Sequence, residues 1–281
     1  MIWQTSRFAL DLAKPCVMGI VNVTPDSFFD GGQHASTKAA LAHCEKLLKE
    51  GAHVLDIGGE SSRPGALPLP LDEEFARLLP VVRQAVTMGV PVSVDSYKPQ
   101  VMQAVLDLGA DIINDIWALR QPGAAQVVAG HPLCGVCLMH MHREPQTMQM
   151  EPMQGDVVPQ VLAFLARVAL DLHRQGVGKD RMVIDPGIGF GKTVAQNFNL
   201  LARQRELLAA GYPVLAGWSR KSSLAGATST SLSSLATLDV QSRMVPSVAA
   251  ALLAVERGAR IVRVHDVRET VQALAVLAAI Q

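Results

Sequence analysis

Val17-Met-Gly-Ile-Val21, a short apolar run, leads directly into the polar segment Asn22-Val-Thr-Pro-Asp-Ser-Phe28. This order predicts a buried β-strand that ends in a loop carrying an amide, a hydroxyl and a carboxylate. Loops of this kind are where proteins usually display their functional groups. The same order recurs downstream, where other apolar runs close with Asp56, Asp95, Asn114 and Asp185. Polar side chains at the ends of many strands indicate one shared site.

Short runs rich in Val, Ile and Leu continue along the chain, as expected of buried parallel strands. They lie at residues 17–21, 53–57, 91–94, 111–113, 135–139, 182–184, 213–216 and 260–264. Helical patterns separate most of them, and the Ser- and Thr-rich residues 228–237 predict a mobile loop or insertion. The alternation predicts a single (β/α)8 barrel domain over residues 1–281, with a doubly wound open sheet as the structural alternative.

Several helices have ends that can be read from the sequence. The acidic residues 72–74 open one helix, in which Pro80 predicts a kink. A second helix is predicted over residues 156–174. The last one starts at Asp266, where Glu269 three residues later resembles a capping box.

Composition excludes several classes of function. Hydrophobic residues make up 49% of the 281 residues, which predicts a sizeable core. Lys plus Arg equals Asp plus Glu, so nothing indicates nucleic acid or an anionic membrane as a partner. No apolar run is long enough to span a membrane, and the N-terminus lacks the charged-then-apolar order of a signal peptide. We therefore expect a cytoplasmic protein.

The four cysteines are too few for a disulfide scaffold. Cys134 and Cys137, followed by His140 and His142, have the spacing of a zinc site. Residues three apart on a strand point to opposite faces of the sheet, so we do not expect these cysteines to bind one ion.

A glycine-rich turn, Asp185-Pro-Gly-Ile-Gly-Phe-Gly-Lys192, follows the sixth apolar run. A nucleotide P-loop needs a glycine five residues before Gly191, and Pro186 stands there. The glycines either allow the backbone to approach a flat ligand or form a turn, and the sequence leaves both open.

Cationic residues also follow predicted strands. Arg63 comes after Gly-Gly-Glu-Ser-Ser, Arg220 and Lys221 lie between two serines, and Arg263 and His265 end the eighth run. Cations beside serines and a helix start suit an anion, whereas carboxylates accept hydrogen bonds from paired N–H donors. One pocket could hold both kinds of ligand group.

Taken together, these motifs resemble the dihydropteroate synthase family over almost the whole chain. The matching segments, in order, are Gly19-Ile-Val-Asn-Val-Thr-Pro-Asp-Ser-Phe28, Asp56-Ile-Gly-Gly-Glu-Ser-Ser-Arg-Pro-Gly65, Val94-Asp-Ser96, Ile113-Asn-Asp115, Asp185-Pro-Gly-Ile-Gly-Phe-Gly-Lys192, Gly217-Trp-Ser-Arg-Lys-Ser222 and Arg263-Val-His-Asp266. The resemblance implies condensation of 6-hydroxymethyl-7,8-dihydropterin diphosphate with 4-aminobenzoate on a (β/α)8 barrel. It also implies Mg²⁺ and a homodimer.

The resemblance assigns roles to particular residues. The catalytic residues it implies are Asp95, Lys221 and Arg63. The pterin would contact Asp95, Asn114, Asp185 and Lys221. The diphosphate would contact Ser62, Arg63, Arg263, His265 and, through Mg²⁺, Asn22. The aminobenzoate would be bordered by Phe28, Pro64, Phe190 and Ser222.

The chain departs from the family pattern in places. Ser62 replaces the more usual threonine, Phe29 stands where a small residue is common, and Pro246 lies in a longer segment. Two other interpretations remain: a pterin-dependent methyltransferase domain on the same barrel, and a non-catalytic pterin-binding paralogue. The first would have no diphosphate to hold and the second would be expected to lose charged pocket residues. The cationic residues noted above therefore favour the synthase.

Overall fold

The computed structural model describes residues 1–24, 32–63, 65–228 and 241–280. Phe28, Phe29 and Pro64 lie outside these ranges, as does nearly all of the segment 228–237. The predictions made for them stay predictions.

A β-hairpin precedes eight parallel strands that close into a barrel. The hairpin consists of β1 (Ile2–Gln4) and β2 (Ala9–Asp11). The barrel strands are β3 (Cys16–Asn22), β4 (Val54–Gly58), β5 (Val92–Asp95), β6 (Ile112–Asp115), β7 (Gly135–Met139), β8 (Met182–Asp185), β9 (Val214–Ala216) and β10 (Ala259–Val264). Because β10 pairs with both β9 and β3, the sheet closes, and the open-sheet alternative is wrong.

Helices alternate with the strands and cover the outside of the barrel. They are α1 (Gly32–Lys49), α2 (Leu71–Ala85), α3 (Pro99–Asp107), α4 (Ala124–Gly130), α5 (Val157–Arg174), α6 (Val194–Ala202), α7 (Ser222–Thr228), α8 (Met244–Glu256) and α9 (Val267–Ala278). Pro246 lies in the first turn of α8, where its missing N–H has no partner to lose. None of the helices in the described ranges is long and apolar enough to cross a membrane.

All eight predicted strands are confirmed, with ends shifted by two residues at most. Two of the predicted helix starts are also confirmed. Acidic residues occupy the first turn of α2, and the Asp156 carboxylate caps α5 by accepting from Val158 N. The capping box at Asp266 is wrong, since its side chain makes no cap hydrogen bond. Its carboxylate instead accepts two hydrogen bonds from Arg220, a stronger charge-assisted contact.

The hairpin closes the amino-terminal end of the barrel. Trp3 and Leu12 are fully buried there, and Trp3 Nε1 donates to the carbonyl of Arg181 at 3.0 Å. Above them the lower barrel interior is apolar, built from Met18, Val54, Ile112, Cys137, Val183, Leu215 and Ile261. Cys134 packs in a different cluster, outside this interior, so the two cysteines do lie on opposite faces. Ligands can therefore enter the barrel at its carboxyl end.

Candidate active site

The strand-end residues predicted to share a site do meet at the carboxyl end of the barrel. Asp95 on β5 lies beside Gly58 of β4 and beside Asn114 of β6 in the strand register. Asp185 ends β8 in the same way, beside Met139 of β7. Parallel strands end at one rim, so residues distant in sequence converge there. The sequence pattern alone was sufficient to find this convergence.

Arg263 joins two of these carboxylates. Its Nε donates to Asp56 Oδ2 at 2.6 Å and its Nη2 donates to Asp95 Oδ2 at 2.8 Å. Asn114 Nδ2 also donates to Asp56, at 3.3 Å. Asp56 is fully buried, and a buried carboxylate needs such a partner. Asp56 lies two residues before the end of β4 and holds Arg263 and Asn114 in place, a role that was not predicted from the sequence.

The two carboxylate oxygens of Asp185 face different groups: Oδ1 bonds the backbone, and Oδ2 faces the site. Gly187 N donates to Oδ1 at 2.7 Å. Oδ2 faces Gly217, where an added Cβ would lie 3.7 Å from this oxygen, an ordinary van der Waals distance. Burial raises the pKa of Asp185, while Gly187 N–H and Lys221 oppose the shift. Oδ2 is placed to accept a hydrogen bond from a ligand.

Lys221 lies over an apolar floor. Its Nζ is 4.3 Å from the centroid of the Phe190 ring, within cation–π range. Phe190 packs in a cluster with Ile116, Met139, Met141 and Met148. Burial lowers the pKa of Lys221 to about 8, although Asp185 and Asp95 oppose this shift. Met139 was not predicted from the sequence, because a methionine inside a strand run is indistinguishable from an ordinary core residue.

The glycine-rich turn proves to be a packed turn. Gly187 and Gly191 have φ values of 68° and 69°, a region that favours glycine. A Cβ on Gly187 would lie 1.8 Å from the carbonyl oxygen of His140. The buried Lys192 fixes the turn from inside, since its Nζ bonds His140 Nδ1 and the carbonyls of Gly187 and Phe190 at 2.9–3.1 Å. Of the two interpretations left open, close packing explains these glycines.

His265 is held by a serine from the preceding strand end. Ser219 Oγ accepts from the His265 backbone N at 3.1 Å and lies 2.9 Å from Nδ1. Burial and then the nearby cations lower the pKa of His265 to about 3, so the imidazole is neutral. In the tautomer in which the Ser219 hydroxyl donates to Nδ1, the ring proton is on Nε2. In that tautomer the neutral His265 can donate a hydrogen bond to an anion.

The remaining predicted residues lie around these groups. Asn22 and His265 line one cavity of about 450 Å³ beside the barrel mouth. Ser62 lies in a smaller pocket with Asp95. Arg63 is exposed, and its charge contributes to the low pKa of His265. Ser222 is exposed at the first position of α7.

Comparison with known proteins identifies the family. A model described as pterin binding enzyme matches residues 18–265. The chain is also 47% identical over 276 residues to dihydropteroate synthase of Neisseria meningitidis serogroup C, covering 97% of this chain and 95% of that one. The chain belongs to the dihydropteroate synthase family of pterin-binding enzymes.

Solved structures in the dihydropteroate synthase family have the same fold. The Xanthomonas albilineans enzyme with 4-aminobenzoic acid superposes with a TM-score of 0.90 at 47% identity, covering 100% of this chain and 99% of that one. The Burkholderia cenocepacia enzyme complexed with 7,8-dihydropteroate gives 0.87 at 48% identity, covering 99% and 96%. These likenesses confirm the predicted barrel.

If Asp95 and Lys221 contact the pterin as the family resemblance implies, pterin binding should have a bell-shaped pH dependence. Burial raises the pKa of Asp95 to about 7, so this acceptor is protonated at lower pH. Lys221, with a pKa of about 8, loses its charge at higher pH. Calorimetry with dihydropterin, which carries no diphosphate, should give the tightest binding between these values and weaker binding at about pH 6 and about pH 9. Asp95→Asn should weaken the acidic limb, and a flat profile for the wild type would contradict the prediction.

Proposed function

We propose that this chain, acting as one domain over residues 1–281, is a transferase that condenses 6-hydroxymethyl-7,8-dihydropterin diphosphate with 4-aminobenzoate. The products are 7,8-dihydropteroate and diphosphate, and the reaction belongs to folate biosynthesis. The observation that carries the proposal is the juxtaposition of Asp185 Oδ2 and Asn114, which can bond pterin edges, with the cations Lys221 and Arg263. The ligands named for the Xanthomonas and Burkholderia enzymes support the same substrates.

The pterin end of the site would use the strand-end acceptors. Asp95, Asn114 and Asp185 surround the space above the apolar barrel interior, and their oxygens complement paired pterin N–H groups. Lys221 would reach a ring heteroatom of the pterin from above Phe190. Arg263 keeps the carboxylate of Asp95 oriented through its ion pair. This end would therefore be largely formed before the ligand binds.

The anion end would lie toward the cavity that Asn22 and His265 line. Ser62 and His265 would donate neutral hydrogen bonds to the diphosphate, while Arg63 and Arg263 would supply positive charge. Arg63 is exposed in the ligand-free protein, so its ordering would accompany diphosphate binding. Charge-assisted hydrogen bonds to phosphate oxygens are strong, which suits a leaving group that gains charge.

The aminobenzoate end is proposed to lie beside α7. Ser222 opens this helix with an exposed hydroxyl that would bond the aminobenzoate carboxylate. Phe190 lies below Lys221 and would border the ring. Phe28 and Pro64, two residues outside the described ranges, are proposed to border it as well.

The proposed reaction is a dissociative substitution at carbon. The bond between the pterin methylene carbon and the diphosphate oxygen breaks first, and diphosphate takes both electrons. Asp95 would stabilise the resulting pterin cation, and the aromatic amine would then attack the methylene carbon and lose a proton. The chemistry needs no protein nucleophile. Charges fixed in advance around the site, such as Asp95 and Lys221, would supply the main catalytic contribution.

Mg²⁺ fits the residues at the anion end. Asn22 ends β3 and is half-buried at the cavity, so its amide oxygen is available where the diphosphate is proposed to lie. Mg²⁺ in proteins takes one or two protein oxygens together with substrate phosphates and waters. Asn22 would hold the ion, which when bound would offset the negative charge of the leaving diphosphate.

Removal of divalent cations should abolish turnover. We expect no dihydropteroate formation in excess chelator and full recovery when Mg²⁺ is added back, because the diphosphate would leave against uncompensated charge. Dihydropterin binding, measured by calorimetry in the same buffers, serves as the control and should be unaffected. Full activity in excess chelator would rule out this role for Asn22 and Mg²⁺.

We also propose that the chain forms a homodimer through α8. This helix is apolar on all sides, and Val245, Ala249 and Leu253 form an exposed stripe along it at four-residue spacing. Val245 and Leu253 are 70% and 39% exposed. A helix that is apolar all round is normally buried, so a second copy is the expected cover.

Charge in the α8 stripe should dissociate the dimer. Sedimentation velocity is expected to give the dimer mass for the wild type and the monomer mass for Leu253→Glu, because a charge would be buried without a partner. Leu133→Glu, at a leucine that is 45% exposed away from α8, is the control and should stay dimeric. A monomeric wild type would refute the proposal.

An assay with both substrates tests the function. Purified protein should form dihydropteroate from pterin diphosphate and 4-aminobenzoate. A methyltransferase domain would bind a folate and form no dihydropteroate, and a non-catalytic paralogue would bind pterin without turnover. The cytoplasmic location stays a prediction.

A further inference from the structure

A network of ionic groups lies beside the site and takes no part in the proposed chemistry. Lys98 Nζ lies 2.6 Å from Glu60 Oε2 and 2.5 Å from Glu74 Oε2. Glu74 is only 1% exposed and also accepts from Ser96 Oγ at 2.7 Å. The Tyr97 hydroxyl donates to Glu60 Oε1 at 2.9 Å. We call these five residues the Glu60 anchor.

The Glu60 anchor fastens both ends of the loop between β4 and α2. Glu60 Oε2 accepts from Leu69 N at 3.1 Å, which ties the start of the loop to its end. Lys98 Nζ donates to the Leu69 carbonyl at 2.6 Å. An ammonium group has three hydrogens, and Glu60, Glu74 and Leu69 use all three. The base of the loop is therefore fixed by groups that the solvent barely reaches.

The tip of the same loop carries residues assigned to the anion. Ser62 is half-buried near Asp95 and Tyr97, and Arg63 is exposed. Gly65 N donates to the carbonyl of Pro145, on the loop that follows β7, at 3.1 Å. The position of the tip therefore depends on this contact with Pro145 and on where the base of the loop is held.

We propose that Glu60 and Lys98 are positioning residues that deliver Ser62 and Arg63 to the diphosphate. The inference rests on the proposed function, which assigns the loop tip to that group. The anchor limits the freedom of the loop, so less conformational entropy is lost when the tip binds an anion. The pterin acceptors lie on the barrel strands, so pterin binding by itself is independent of the anchor.

Glu60→Ala is the sharpest test, because it unties the start of the loop from Leu69 N and from Lys98 and leaves the Lys98–Glu74 ion pair in place. We expect kcat/KM for pterin diphosphate to fall roughly 10- to 100-fold, the cost of misplacing positioned groups. The Kd for dihydropterin, which has no diphosphate, should change by less than about twofold. Glu60→Gln keeps an oxygen acceptor and should recover part of the loss. Glu206→Ala, at a glutamate after α6 that is 50% exposed, is the control and should match the wild type.

Loop motion gives a readout that does not depend on turnover. Leu67 is 80% exposed on this loop and the four native cysteines are buried, so Leu67→Cys can carry a fluorophore selectively. Anisotropy of the labelled protein should fall when Glu60→Ala is added and stay constant with Glu206→Ala. Unchanged anisotropy, or an equal loss of dihydropterin affinity, would overturn the proposal. A wild type without turnover would refute the proposed function alone, and the anisotropy would still decide the anchor.

Discussion

Asp185→Asn is expected to lower kcat/KM for pterin diphosphate by about 30- to 1000-fold, or about 2–4 kcal/mol of transition-state binding. The reason lies in the fixed orientation of this side chain. Gly187 N donates to Oδ1 at 2.7 Å, so the asparagine must keep its carbonyl there. Its NH₂ group then occupies the position of Oδ2 and presents donors to the N–H groups of the pterin.

Steady-state kinetics with both substrates would measure this effect. Asp171→Asn removes a carboxylate that is 54% exposed on α5, and should leave kcat/KM at the wild-type value. Circular dichroism would verify that Asp185→Asn is folded. Wild-type kcat/KM in that variant would contradict the role proposed for Oδ2.

The second large effect is expected for stability, in Arg263→Met. This variant leaves Asp56, which is fully buried, and Asp95 without their cation. Breaking a buried pair by removing one partner typically lowers the free energy of unfolding by about 3–5 kcal/mol. Urea denaturation would measure the change. Turnover should be lost as well, because the guanidinium also orders the two carboxylates.

The pH dependence of the lost stability, together with a control variant on the same strand, distinguishes the loss of the Arg263 ion pairs from a packing defect. Burial raises the pKa of Asp95 to about 7, so protonation removes its need for a cation as the pH falls through this value. The loss in the free energy of unfolding caused by Arg263→Met should thus be smaller at about pH 5.5 than at about pH 8.5. Arg260→Met on β10, where the arginine is exposed, should change stability by less than about 0.5 kcal/mol. A deficit that is equal at both pH values would contradict the electrostatic explanation.

The strands could be predicted because burial on both faces leaves a simple signal. Residues 135–139 form an uninterrupted apolar run, and β7 has the same bounds. Helix starts were harder to predict, because a residue with the sequence of a helix cap can instead bond a residue that is distant in the chain. Asp266 has the sequence of a helix cap, yet its carboxylate binds Arg220, which is 46 residues away in the chain.

The site was predictable to a similar degree. Asp95, Asn114 and Asp185 were expected together, because each closes a strand and parallel strands end at one rim. Asp56 gave the same signal and received no role, because its partners, Arg263 and Asn114, are known only from the fold. Met139 and Lys192 gave no signal, since an apolar strand residue and a lysine after a glycine-rich turn have many ordinary explanations.

The order of residues was enough to specify the alternation of strands and helices, the barrel, and the identity of the polar groups at its mouth. These follow from local periodicity and from the geometry of parallel strands. The pairing of those groups emerged only in the folded chain, which places Arg263 between two carboxylates, makes His265 neutral beside Ser219, and ties Lys98 to Glu60. Charge state and hydrogen-bond partner depend on distances and burial in three dimensions, and residue order does not specify these quantities.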